Sequence, residues 1–172
     1  MKFHTTHAEG SEVGPGSKDR GPGFGGLLRS LFSRIPWGEA QTEEETLVVP
    51  APLGRAISIR NANGRTRVVG EDRDDIEVRI TKSVRADCED MAAKLLESIQ
   101  LQNSESADVL EIEVQIPRKC SRHGLAHLEL RVPRDTSVAL SSTNGKICLE
   151  GLNRPIRARS SNGSVSIFEV NG

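Results

Sequence analysis

The chain has 172 residues, 35% of them apolar and 27% charged, with a formal net charge of -1. That length suits one domain, or one domain with a tail, and the near-zero charge leaves no strong field to gather nucleic acid or an anionic membrane. No stretch approaches the roughly 18 apolar residues of a transmembrane helix, and the widely separated Cys88, Cys120 and Cys148 make no disulfide framework.

At the start of the chain, Met1 to Gly10 is polar and has no apolar core of a secretory signal, so a cytoplasmic location is the default expectation. Residues 8–26, AEGSEVGPGSKDRGPGFGG, hold eleven Gly, Pro or Ser among nineteen positions. Such a stretch buries too little to offset its ordering entropy and is expected to be disordered. Within 24–35, Phe24, Leu27, Leu28, Leu31, Phe32 and Ile35 recur at helical spacing beside Arg29 and Arg34. This predicts a short amphipathic helix, stopped by Pro36. Residues 39–46, EAQTEEET, read as an acidic linker. A disordered N-terminal arm over 1–46 therefore precedes a domain over 47–172.

The aromatic residues divide at the same place. Phe3, Phe24, Phe32 and Trp37 lie in the arm, and beyond it Phe168 stands alone. The domain must build an aliphatic core, which narrow stacked β layers can do.

From Leu47 the apolar period becomes two. Ile57 and Ile59 alternate with Ser58 and Arg60 up to an Asn63-Gly64 turn, and strands are expected at 65–69 and 75–84. One helix follows, with Asp87 as N-cap, Asp90 three residues on, and Met91, Leu95 and Ile99 on or near one face. Strands return at 108–116 and 126–132, ended by Pro117 and Pro133.

The last forty residues carry an internal repeat. VALSSTNGKICLEGLN (138–153) aligns without a gap on IRARSSNGSVSIFEVN (156–171), and ISIRNANGRTRVVG (57–70) fits the same template. Val138 matches Ile156, Leu140 matches Ala158, Asn144-Gly145 matches Asn162-Gly163, Ile147 matches Val165, and Leu149 matches Ile167. The unit is strand, Asn-Gly turn, strand. It could close as an antiparallel hairpin with Leu140 facing Leu149, or form one rung of a β-solenoid in which like residues stack. The gapless repeat favours stacking. The expected class is all-β, a β-solenoid or β-helix-like stack with one short helix inserted, with an antiparallel β-sandwich as the alternative.

The order SIRNANGRTRVVG, charged strand, short helix, LELRVPRDTSVALSSTNGKICLEGL and RARSSNGSVSIFEVNG resembles the bacterial putative-adhesin family, also called the toast-rack domain, over roughly residues 50–172. The resemblance implies a β-helix-like fold, no catalytic residues and no cofactor. Family members occur beside membrane helices, secretion signals or regulatory domains. Asn171-Gly172 falls in the middle of a unit, so a truncated array or an open last rung is expected.

Cys120, His123 and His127 form C-x2-H-x3-H with Cys148 as a candidate fourth ligand. They are the weak candidates for a metal- or thiol-dependent activity. Zinc wants about four N or S ligands, and Arg118, Lys119 and Arg122 put positive charge beside them, so a polar loop entering a strand is the favoured reading. No P-loop, dinucleotide fingerprint or H-E-x-x-H motif is present, so no enzyme, catalytic residue, metal or cofactor is expected. The Asn-Gly turns lack the aspartates of calcium-binding repeats. Arg55, Arg60, Arg65, Arg67, Arg73 and Arg79 alternate with Glu71, Asp72, Asp74, Asp75 and Glu77, which describes a mixed surface, so no nucleic acid is expected. The helix at 24–35 would cap an end of the stack, or touch a partner or membrane surface through Phe24, Leu28, Leu31, Phe32 and Trp37. The reading is a structural or protein-interaction module, adhesin-like or scaffold in kind. Its partner is an unknown protein, or a second copy meeting the C-terminal rung, with peripheral membrane contact through 24–37 as a further option.

Overall fold

Alternating apolar residues commit most of the chain to strands, and the computed structural model places those strands in two sheets. It describes residues 29–33, 40–106, 108–120 and 123–171. In chain order these form β1 (Arg29–Ser33), β2 (Gln41–Pro50), β3 (Ala56–Asn63), β4 (Thr66–Glu71), β5 (Asp75–Val84), helix α1 (Glu89–Ser98), β6 (Gln100–Glu105), β7 (Val109–Gln115), a 3-10 turn (Arg118–Cys120), β8 (Gly124–Pro133), β9 (Ser137–Asn144), β10 (Ile147–Glu150), β11 (Ile156–Asn162) and β12 (Val165–Phe168).

The protein is thus all-β with one short α-helix. A seven-stranded sheet runs β1-β2-β5-β8-β4-β10-β12, and a five-stranded sheet runs β11-β9-β3-β7-β6. Both sheets are mixed. β1, β2, β5 and β8 pair antiparallel, as do β6 and β7. Parallel ladders join β8, β4, β10 and β12 in one sheet and β11, β9, β3 and β7 in the other. This is a two-sheet sandwich, closer to the alternative architecture than to a uniform solenoid, though its strands are not all antiparallel. The two sheets close on one aliphatic core that includes Ile57, Ile59, Ile80, Leu130, Ile147 and Leu149.

Register decides how the repeated segments meet. Ile156 lies opposite Val138, Ala158 opposite Leu140 and Asn162 opposite Asn144. Ile147 lies opposite Val165 and Leu149 opposite Ile167. The early segment joins the same columns, with Ile57 opposite Val138 and Asn63 opposite Asn144. Each Asn-Gly corner carries the chain from one sheet to the other, so β9 and β10 do not pair and the hairpin reading of this unit fails. The physical reason is burial: crossing over puts Leu140 and Leu149 on facing inner surfaces, 3% and 0% exposed, where the hydrophobic gain is largest.

The structure corrects the reading at four places. The helix expected at 24–35 is not what its described residues form, because Arg29–Ser33 is strand β1, with Leu31 opposite Glu44 and Phe32 opposite Glu43 on β2. A helix of roughly 12 residues is marginal in water, whereas the edge of β2 supplies ladder hydrogen bonds. The rest of that helix and the expected disorder at 8–26 lie outside the described residues. The acidic linker is corrected from residue 41 onward, since β2 begins at Gln41 and crosses the expected domain boundary. Glu43 and Glu45 can enter a strand here because Lys82, opposite Glu43 on β5 and buried with it, donates to the half-buried Glu45. Helix α1 is N-capped by Cys88 without a side-chain hydrogen bond, not by Asp87, and it buries Ala92 and Leu96 while Met91 is 50% exposed. Acidic Glu89 and Asp90 in its first turn complement the helix dipole. Finally, β6 carries no apolar alternation and is legible only as the polar edge partner of β7.

Candidate functional site

A strand is stabilised on both flanks except at a sheet edge, and two edges of this sandwich meet in one unit. β12 is the last strand of the seven-stranded sheet and β11 the last of the five-stranded sheet. Among the described residues nothing pairs with their outer edges. Val165 and Ile167 occupy the same inward columns as Ile147 and Leu149, yet they are 41% and 49% exposed where their counterparts are fully buried. Phe168 on the opposite face of β12 is 55% exposed. Ile156 and Ala158 on β11 remain partly buried against the core. The result is an apolar strip along β12 beside an open strand, a feature that marks interaction sites on soluble proteins.

Charge sets the character of the neighbouring strip. Arg157 and Arg159 stand on the exposed face of β11 and have no ion-pair partner among the described residues. Several arginines elsewhere are answered, although Arg65 and Arg85 also form no ion pair among the described residues. Arg60 faces Glu113 at 3.9 Å, Arg67 donates to Glu150 at 3.0 Å, and Arg79 meets Glu44 at 3.3 Å. Arg73 is held by Asp75 at 2.6 Å, with Glu71 and Glu77 close by. That hydrogen bond from Arg73 keeps the Asp75 carboxyl below its ordinary range, against a smaller opposing effect of burial. The mixed surface expected from the interleaved sequence is found around Arg60, Arg67, Arg73 and Arg79, and Arg157 and Arg159 add unpaired positive charge at the open end.

The weak metal or thiol candidates are not brought together. Cys120 is fully buried, its Sγ 3.2 Å from Ser98 Oγ. His123 is exposed, and His127 lies on the outer face of β8, where its Nδ1 accepts the Arg65 backbone N–H at 3.0 Å. Strand alternation separates them: residues with the parity of Ala126 and Leu128 point inward and His127 points out. Cys148 is buried on β10 and Cys88 is exposed. Among the described residues no group of three or more His, Cys, Asp or Glu could hold a metal ion. Of the expected contact residues, Leu31 and Phe32 belong to β1, and Phe24, Leu28 and Trp37 lie outside the described residues. Among the described residues no helix is long and apolar enough to cross a membrane.

Sequence reasoning placed Val165 inside and gave Ile167 and Phe168 no role. Only pairing identifies them: among the described residues β12 has β10 on one flank and nothing on the other.

Fold and site together define a β-rich two-sheet module with one open, apolar-and-basic edge. No family model matches the chain, and no curated protein matches it. Among solved structures it is similar to a putative cell adhesion protein from Clostridium sporogenes, at 11% identity and TM-score 0.48, covering 74% of this chain and 59% of that one. It is also similar to a putative lipid binding protein from Parabacteroides distasonis, at 10% identity and TM-score 0.30, covering 77% of this chain and 66% of that one. The chain thus spans less than two thirds of either structure.

Proposed function

We propose that this chain is a non-enzymatic protein-interaction module of the toast-rack kind, a solenoid-like stack of strand, Asn-Gly corner, strand rungs that binds by strand addition at β11 and β12. The observation that carries the reading is the exposure of Val165 and Ile167, 41% and 49%, in columns whose preceding members are sealed. Covering the exposed half of each such aliphatic side chain contributes roughly 1 kcal/mol, and an added strand also satisfies the open backbone edge.

The charge pattern favours a particular occupant. A second copy placed edge to edge would set Arg157 and Arg159 against their own like charges, which opposes pairing. A partner strand alternating apolar and acidic residues answers them, as Glu113 on β7 answers Arg60 on β3. Adhesin-like or scaffold roles are both compatible with such an edge.

The probe is a labelled peptide with the β7 sequence VLEIEVQ, titrated into the full chain by fluorescence anisotropy. Expected is saturable binding that weakens with salt and is lost in Ile167→Lys and in Arg157→Glu/Arg159→Glu. Absence of binding, or binding indifferent to those substitutions, overturns the reading. A dimer on sedimentation that Ile167→Lys dissociates would instead assign the edge to a second copy.

A further inference from the structure

The chain carries three Asn-Gly corners in one stacked column, and the structure gives them unequal protection. Asn63, Asn144 and Asn162 lie opposite one another through the parallel ladders. The Gly64 backbone N–H donates to Asn144 O at 2.9 Å, and the Gly145 backbone N–H donates to Asn162 O at 3.2 Å. The Gly163 backbone N–H has no acceptor among the described residues. The corner is held from one side only, by the Gly145 bond and by Asn162 Nδ2 donating to Asn144 Oδ1 at 2.9 Å. Asn162 and Gly163 are both exposed.

We propose that Asn162 is a site of spontaneous self-modification, converting to aspartate and isoaspartate, while the two inner corners are protected by the rung stacked on them. The backbone nitrogen of Gly163 attacks Cγ of Asn162. A new N–Cγ bond forms, the nitrogen gives up its proton, and the Cγ–Nδ2 bond breaks to release ammonia. Water then opens the cyclic imide at either carbonyl. Opening at Cγ leaves aspartate, and opening at the main-chain carbonyl leaves isoaspartate, with the chain running through Cβ and Cγ. The attacking nitrogen must be free of hydrogen bonds and the corner must bend toward it. Gly64 and Gly145 have their N–H groups engaged, and Gly163 does not. Glycine is needed at these corners for its close approach: a Cβ on Gly145 would lie 1.9 Å from Gly64 O, and one on Gly163 would lie 2.0 Å from Gly145 O. The residue that lets rungs stack is also the least hindered nucleophile a chain can offer.

The product changes the stack. A carboxylate at 162 has no hydrogen to donate to Asn144 Oδ1 and faces it as a second acceptor. The isoaspartyl form also shifts the carbonyl that accepts the Gly145 N–H. Gly145 then loses its seal, so Asn144 becomes the next corner to convert, and Asn63 follows it. This inference rests on corner geometry and not on the proposed binding function.

The test incubates the full chain, diluted until it elutes as a monomer, in mildly alkaline buffer, with peptide mapping by mass spectrometry at Asn63, Asn144 and Asn162. In the folded chain Asn162 should convert roughly tenfold faster than the other two, the factor expected for one net hydrogen bond. In urea the three rates should converge, because each pair is then an unhindered Asn-Gly. In chains already isoaspartyl at 162, conversion at Asn144 should rise while Asn63 stays slow, whereas Asn162→Asp keeps the carbonyl that accepts the Gly145 N–H and should leave Asn144 slow. Folded-state rates at Asn162 no higher than at Asn144 and Asn63 overturn the proposal. So does a chain isoaspartyl at 162 in which Asn144 keeps its slow rate, or in which Asn63 accelerates equally.

Discussion

The rung built from β9 and β10 and the rung built from β11 and β12 follow one sequence template and meet opposite fates. Ile147 and Leu149 are fully buried, while Val165 and Ile167, in the same columns, are 41% and 49% exposed. The difference does not lie in the residues, which are aliphatic at matching positions. It lies in the neighbours: the inner rung packs between β4 and β12, and the outer rung has a partner on one flank only. An apolar alternation therefore reports which side chains point inward, and the number of flanking strands reports whether pointing inward means burial.

Substitutions at matched positions sharpen this contrast, and the largest effect is expected at the glycine corners. Gly145 is pressed against Gly64 and capped by Gly163, so Gly145→Ala should cost about 3 kcal/mol or prevent folding. The outer Gly163 can lift away from Gly145, and Gly163→Ala should cost about 1 kcal/mol. Equal losses in urea midpoint would break the comparison. Next come the columns. Ile147→Ala should destabilise by about 2–5 kcal/mol through its cavity, and Val165→Ala by less than about 1 kcal/mol, because half-exposed side chains lose little on truncation. Denaturant titration of both variants checks this, and a Val165→Ala loss as large as that of Ile147→Ala would mean that the outer rung is covered in solution.

The smallest effect concerns charge. Arg73 is ringed by carboxylates at the β4–β5 connection, whereas Arg157 and Arg159 on the outer rung are unanswered. Because Arg73 depresses the Asp75 carboxyl in the folded state, the associated stability is present above the unfolded carboxylate range and is lost as pH falls through the lower folded value. Asp75 is 44% exposed on its side chain, so solvent screening keeps the contribution small. Asp75→Asn should slightly lower stability at neutral pH and flatten its decline in acid. Arg157→Ala should leave the acid profile unchanged. Thermal melts across the acid range compare the two.

Much of the fold was legible in particular residues. The expected strand at 75–84 is β5 to the residue, and the alternation around Ile57, Ile112, Leu128 and Val138 marks strands whose inward faces are buried. Their period-two pattern is a local property of a half-buried strand. The failures have a common cause in partners remote in sequence. Glu43 and Glu45 read as linker until Lys82 is placed beside them. Residues 29–33 read as helix until β2 offers an edge. β6, with its sequence QLQNSE, has no pattern of its own and exists by pairing with β7. The last unit was expected to be either truncated or open, and its Val165 was matched to the buried Ile147, whereas Val165 is 41% exposed.

The sequence by itself determined that this is an aliphatic, strand-built protein whose repeated units share one alternation and one kind of corner, because side-chain parity and the backbone demands of Asn-Gly are local physics. Only the tertiary structure decided that each corner crosses between two sheets, that Cys120 is buried while His127 faces out, and that one rung is left uncovered among the described residues. Those outcomes depend on which strands lie side by side, and adjacency is settled by burial and hydrogen bonding summed over the whole chain.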